Sequence, residues 1–212
     1  MIVSEANTNR GLVLTLPILR LMNPIEGWLG EDEADLLIAT TWKAITELPP
    51  QNAVVEIGSY CGRSTVVLAS VVKVTHAQTK VYAIDPHTGI VGSQDRELYT
   101  TMPTREKFTQ NIARTGLSEV VELIPNYSFD VLWDRPICLL LIDGLHDYTN
   151  VSRDFYHFEQ WLIPGAYIAF HDYADYYPGV KRFVDELVRP GQYQKIYCAQ
   201  SLIVVKKRAA EE

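Results

Sequence analysis

Asp143 and Asp172 each close an apolar run, Ile137-Cys138-Leu139-Leu140-Leu141-Ile142 before the first and Ala166-Tyr167-Ile168-Ala169-Phe170 before the second. As neighbouring parallel strands, these runs bring two carboxylates to one sheet edge, where like charges need a shared proton or a cation. A divalent ion is the economical solution, and oxygen-rich ligation favours Mg2+ or Mn2+. His171, directly before Asp172, completes a metal set of Asp143, His171 and Asp172 if it ligates, which shifts the preference toward manganese or a later metal; its other reading is a satisfied buried histidine. His146 follows Asp143 by three residues, a spacing that holds an imidazole near a metal-bound hydroxyl without forcing it onto the metal. Its near-neutral pKa suits a general base, against the alternative of a helix cap. The catalytic candidates are therefore His146 and Asp143.

A second constellation lies around a glycine turn. Ala53-Val54-Val55-Glu56-Ile57 is short and β-branched, as expected of a strand covered on both faces, and Ser64-Thr65-Val66-Val67-Leu68-Ala69 resumes with a helical apolar pattern. Gly58 and Gly62 between them permit a tight turn and close approach to a ligand. The pattern Glu56-x-Gly58-x-x-x-Gly62 differs from the G-x-G-x-x-G of dinucleotide sites, and a carboxylate at the strand end would repel a pyrophosphate while attracting an ammonium group. A cationic nucleoside cofactor, S-adenosylmethionine, fits. Asp85 ends the next strand, where a carboxylate can accept from both ribose hydroxyls; alone it reads as a turn acid before Pro86, and with the glycine loop as a ligand residue.

The elements that must position these groups alternate. Acids at 31–35 and an apolar stripe through Leu36, Leu37, Ala39, Ile45 and Leu48 predict a helix ended by Pro49-Pro50. Strands are predicted at 80–85, 120–124, 137–143 and 166–170, helices at 64–75, 105–115, 151–162 and 180–189, and a closing strand pair near 193–198 and 202–206. Such alternation gives a mainly parallel sheet with helices on both faces and one antiparallel hairpin at its edge.

EIGSYCGRS resembles the glycine loop of the class I S-adenosylmethionine-dependent methyltransferases, especially the catechol and caffeoyl-ester O-methyltransferases. D-G-x-H-x-Y at 143–148, L-x-P-G at 162–165 and H-D-Y at 171–173 resemble metal-dependent small-molecule O-methyltransferases, including those acting on macrolide sugars. The resemblance spans residues 52–207 and implies an α/β, Rossmann-like, doubly wound sheet of seven mostly parallel strands with a C-terminal antiparallel hairpin. It further implies that Tyr60 and Ser64 approach the methionine part of the cofactor and that Ser128 contacts adenine, so that the cofactor set is Glu56, Gly58, Tyr60, Gly62, Ser64, Asp85, Ser128 and Asp143. His146 falls where the sugar enzymes carry their base and the catechol enzymes a lysine. The chain departs from the family at His171-Asp172, where Asp-Asn or Glu-Asp is common. The implied reaction moves a methyl group to a hydroxyl of a small metabolite: a metal lowers the hydroxyl pKa, a base takes the proton, and the oxygen attacks the sulfonium methyl in line. Two other classes stay open, a cofactor-binding module without transfer activity and a metal-dependent hydroxylase on the same fold.

At 212 residues, 47% apolar and 21% charged, the chain suits one compact domain, with a helical lid or oligomerisation segment at 1–50 before a methyltransferase domain at 51–212. The net charge of −7 argues against nucleic acid as a partner. No apolar stretch reaches the roughly 18 residues needed to cross a membrane, and the start lacks a secretion signal, so a cytoplasmic location is expected. Cys61, Cys138 and Cys198 are too widely spaced for a disulfide framework or zinc site and read as core or near-core thiols. The opening thirty residues and the polar connection at 86–103 read as lids or as surfaces of a homo-oligomer, a dimer. Tyr148, Tyr173, Tyr176 and Tyr177 crowd the expected mouth, which suits a ring-containing acceptor or packing of the loops on one another.

Overall fold

In the computed structural model, which describes residues 12–209, two helices precede the first strand: α1 (Thr15–Met22) and α2 (Glu31–Glu47). Residues 1–11 of the expected 1–50 segment lie outside the described residues. The alternating pattern then yields β1 (Ala53–Ile57), α3 (Arg63–Val74), β2 (Val81–Ile84), a small hairpin of β3 (Ile90–Gly92) and β4 (Leu98–Thr100), α4 (Arg105–Arg114) and β5 (Val121–Ile124). The second half runs β6 (Ile137–Ile142), α5 (Tyr148–Phe158), β7 (Leu162–Phe170), α6 (Pro178–Val188), β8 (Tyr193–Ala199) and β9 (Leu202–Lys207).

Seven strands form one sheet in the order β5-β2-β1-β6-β7-β9-β8. The first five of that order are mutually parallel, whereas β9 runs antiparallel to both β7 and β8. The chain builds outward from β1 through β2 to β5, then restarts on the other side with β6, so the order reverses between β1 and β6. Ligands in open α/β sheets bind beyond the carboxyl ends of the strands at such a switch point. β1 and β6 are buried along their whole length, which is why their sequences are unbroken apolar runs apart from Glu56.

Helices cover both faces. On one side Ile18, Met22, Leu37, Leu68, Phe108 and Tyr167 share a core; on the other Phe155, Phe158, Phe170 and Phe183 pack together. Leu37 and Ala44 of α2 are fully buried, so α2 is a packed layer of the domain.

Several boundaries depart from the sequence expectations for local reasons. α1 is apolar on its exposed side, Leu16 and Leu21, as well as at its buried residues Ile18 and Met22, so no one-sided stripe marks it in the sequence. α5 begins at Tyr148 instead of 151 because Asp147 caps it, its carboxylate accepting the Asn150 N–H at 2.9 Å. β7 begins at Leu162, where it already pairs with Ile137 across an irregularity in register. The connection at 86–103 contains the β3–β4 hairpin, whose strands are only three residues long. Cys61 and Cys138 are buried, but Cys198 is exposed on edge strand β8, which corrects its reading as a core thiol. Among the described residues no helix is long and apolar enough to cross a membrane.

Candidate active site

Gly58 ends β1 with φ +86°, and a Cβ there would overlap the carbonyl oxygen of Asp143. Only glycine permits this close approach. The Asp143 N–H in turn donates to the Ile57 carbonyl at 2.8 Å, so the glycine turn and the first acid are set against each other by backbone.

A cavity of about 770 Å³ opens beyond these strand ends, a volume suited to a small-molecule site. Its wall contains Gly58, Tyr60, Asp85, Ser128, Asp143, His146, His171 and Asp172, so the structure brings together eight of the residues expected from sequence. Glu33, Asp85, Asp143, Asp154 and Asp172 supply five acids to that wall, against Arg153, His146 and His171 as its basic residues. The balance is acidic, which favours a cationic ligand over a phosphorylated one.

The remaining three expected cofactor residues, Glu56, Gly62 and Ser64, are not in the cavity wall. Glu56 is wholly buried, and its two carboxyl oxygens accept from the hydroxyls of Ser64 and Thr65 at the start of α3. This correction has a plain cause: Glu56 and Ser64 tie the strand to the helix behind the loop. Burial pushes the Glu56 pKa up to about 8, against the two hydroxyl donors and with help from the charges of Asp143 and Asp85. Gly62, at φ +89°, caps α3, and a Cβ there would press on the Phe108 ring at 3.2 Å.

Asp85 is held by two backbone donors, the Tyr60 N–H at 2.8 Å on Oδ2 and the His87 N–H at 2.6 Å on Oδ1, which fix the carboxylate at the cavity while leaving further lone pairs to accept. Tyr60 adopts φ +45° there, and its hydroxyl donates to Glu26 at 2.8 Å. At the far end Ser128 donates to Asp154, whose burial pushes its pKa up to about 6 against that hydroxyl. The Arg153 guanidinium lies over the Phe129 ring, 3.7 Å from its centroid.

Asp143, His146 and Asp172 form a group that could hold a metal ion, their ligand atoms all lying within 4.8 Å of one another. His146 Nε2 is 3.0 Å from Asp172 Oδ2 and 3.7 Å from Asp143 Oδ1 without hydrogen-bond alignment, and its Nδ1 is buried without a partner. The ring packs on Tyr177 with centroids 4.4 Å apart. Burial alone would lower the His146 pKa, but Asp143 and Asp172 outweigh it and raise it to about 9. Asp172 sits at φ +59°, an unusual conformation for a residue with a side chain, and accepts from the Tyr176 hydroxyl at 3.1 Å.

The geometry therefore differs from the sequence expectation in placing His146 among the ligand atoms. His171 stands behind the pair, its Nδ1 3.0 Å from Asp143 Oδ1 and 3.1 Å from Asp172 Oδ2, and its Nε2 3.2 Å from Glu33 Oε2. Burial would lower its pKa, yet Asp143 and the other two acids raise it well above the usual histidine value. The orphaned His146 nitrogens and the paired carboxylates fit a divalent ion. The acid-rich wall and the exposed lone pairs of Asp85 fit a cationic nucleoside.

Glu33, Asp154 and the hairpin residues Ile90, Leu98 and Tyr99 are cavity residues that the sequence did not single out. Glu33 read as one of several acids at a helix start, and the site role had no separate signal.

A family model described as a methyltransferase domain matches residues 55–173. Among solved structures, the O-methyltransferase NovP superposes with a TM-score of 0.71 at 18% identity, over 85% of this chain and 81% of that one. A Podospora anserina methyltransferase, PaMTH1, solved with S-adenosylhomocysteine, gives 0.65 at 11% identity over 96% and 91% of the two chains. An rRNA methylase from Streptococcus thermophilus gives 0.57 at 16% identity over 86% and 98%. At these identities the likeness shows a shared fold.

Proposed function

The chain belongs to the methyltransferase-domain family and is an S-adenosylmethionine-dependent methyltransferase, and on that premise we propose that it methylates a hydroxyl of a small metabolite with the help of a divalent ion. One observation carries this reading: Asp143, His146 and Asp172 converge in the same cavity as Asp85. NovP, of the same fold, is an O-methyltransferase, which supports a hydroxyl acceptor. A small acceptor, in preference to nucleic acid, is supported by the net charge of −7 and by the acidic balance of the cavity wall.

When bound, S-adenosylmethionine supplies the electrophilic methyl and a divalent ion supplies the positive charge that makes the acceptor hydroxyl more acidic. Asp85 accepts from the ribose hydroxyls, and Ser128, anchored on Asp154, faces the adenine end. Asp143 and Asp172 would hold the ion, as Mg2+ or Mn2+, which leaves His146 Nε2, although within ligand reach of both carboxylates, to take the acceptor proton. Asp143 and Asp172 hold the His146 pKa up at about 9, and a cation between those carboxylates would offset their charge and bring it back toward the range of a base. Histidine and metal are thus parts of one device. Tyr177 packs on the His146 ring and orients the imidazole, while the Gly92 carbonyl of the β3–β4 hairpin accepts the His146 backbone N–H at 3.0 Å and fixes the main chain beneath it.

Two histidines beside Asp172 also resemble the donor set of an iron hydroxylase, the second reading. The test is S-adenosylhomocysteine formation across a panel of phenols, catechols and sugars, with Mg2+ or EDTA. Hydroxyl-dependent turnover stimulated by Mg2+ supports methyl transfer; oxygen consumption with Fe2+ and no turnover favours hydroxylation.

A further inference from the structure

Glu33 does more than begin a helix. In α2 it occupies the third helical position, and its Oε2 accepts the Gly30 N–H at 2.8 Å, the glutamate half of a capping box, with glycine offering no side chain for the other half. A capping-box glutamate can sit in water. This one is 2% exposed, and its other oxygen accepts both the N–H and the hydroxyl of Ser201, at 3.0 and 2.6 Å. The fourth donor is His171 Nε2 at 3.2 Å. Burying a carboxylate is costly unless its lone pairs are used, and here all are engaged by donors from α2, the end of β7 and the β8–β9 turn.

The consequence lies at the other ring nitrogen. A carboxylate with this many donors can only accept, so Nε2 of His171 keeps its proton whatever state Nδ1 adopts. Nδ1 is then the nitrogen turned toward the transfer site, where it donates to Asp172 Oδ2 at 3.1 Å and lies 3.0 Å from Asp143 Oδ1, so a cation entering that gap would displace its proton. Separations of about 3 Å match the edge of an octahedron with ligand bonds of about 2.1 Å. Glu33 and Ser201 both lie outside the stretch matched by the methyltransferase-domain model, so this support is supplied by the flanking segments.

We propose that Glu33 is a positioning residue of the transfer site: by accepting the Nε2 proton of His171 it directs Nδ1 at the gap between Asp143 and Asp172 and makes that gap a cation site. The inference rests on the metal-assisted reading above. A histidine that ligates a metal characteristically donates its second N–H to a carboxylate, and loss of such a partner costs about 10- to 100-fold in metal affinity or activity.

The experiment titrates the full-length protein with Mn2+ alone, reading free Mn2+ by electron paramagnetic resonance, and measures S-adenosylhomocysteine affinity by calorimetry alongside. Glu33→Gln is expected to weaken Mn2+ binding about 10- to 100-fold, a larger loss than any it causes in S-adenosylhomocysteine affinity. Glu33→Asp, which keeps the charge but withdraws the carboxylate, is expected to act in the same direction and serves if the glutamine variant does not fold. Ser201→Ala removes a Glu33 donor without touching His171 and is expected to leave Mn2+ affinity unchanged. Wild-type affinity in both Glu33 variants overturns the proposal and leaves the methyltransferase reading intact, as does a loss in Ser201→Ala equal to that in Glu33→Gln. A wild-type protein that transfers methyl groups but binds no Mn2+ overturns both this proposal and the metal half of the proposed function.

Discussion

The carbonyl oxygen of Asp143 occupies the space that a Cβ on Gly58 would need, so the cofactor loop and the first metal-site acid interlock through backbone atoms at the point where the strand order reverses. Gly58→Ala must therefore part β1 from β6 at their carboxyl ends and also hold alanine at φ +86°. A loss of at least about 2 kcal/mol is expected from overpacking and backbone strain together, with S-adenosylmethionine binding lost in the folded fraction. Urea unfolding and calorimetry check both.

Glu56 gives a pH signature separate from catalysis. Its folded pKa of about 8 lies above the ordinary 4.5, so the folded protein retains a proton that the unfolded chain has released. Its stabilising effect is full below pH 4.5 and is lost as pH rises toward 8. Glu56→Gln removes this titration. The stability difference between variant and wild type is expected to move in the variant's favour by up to about 1.4 kcal/mol per pH unit between pH 5 and 8, read from urea unfolding at each pH. A difference independent of pH would show that Glu56 titrates normally.

Asp85 faces the cavity with its carboxylate fixed by the Tyr60 and His87 N–H groups. Asp85→Asn keeps the size but loses the charge-assisted acceptors. S-adenosylmethionine affinity is expected to fall about 10- to 100-fold with kcat at saturation little changed, as measured by calorimetry and initial rates.

Much of the site was legible because its residues stand at strand ends, where period and punctuation mark their position. Asp143 and Asp172 each follow an apolar run, and the runs pair in parallel as β6 and β7. Gly58 and Asp85 could be placed in the same way. Glu56 was misread because sequence gives the end of the strand but not which face its side chain takes; the hydroxyls of Ser64 and Thr65 draw it inward, away from the cavity. Glu33 and Ser201 were out of reach for another reason: they meet across 168 residues of chain, and no local pattern records that contact. The β3–β4 hairpin escaped because strands of three residues are too short to show alternation.

His146 separates binding from chemistry. Its ring lies against Tyr177 beside Asp172, whereas Asp85 is held by the Tyr60 and His87 N–H groups. His146→Ala is expected to retain cofactor affinity and to lose about 10²- to 10⁴-fold in kcat, as loss of a general base does. Near-normal turnover in the variant would assign the base elsewhere.

The central claim is that a divalent ion and the cofactor share one cavity, the ion between Asp143 and Asp172 and the cofactor's ribose on Asp85. A crystal grown with S-adenosylhomocysteine and Mn2+, with data collected at the manganese absorption edge, tests it most directly. The expected result is an anomalous peak within about 2.3 Å of carboxylate oxygens of both Asp143 and Asp172, with the ribose hydroxyls on Asp85. Bound S-adenosylhomocysteine with no manganese peak at those acids, or a peak elsewhere, would contradict it.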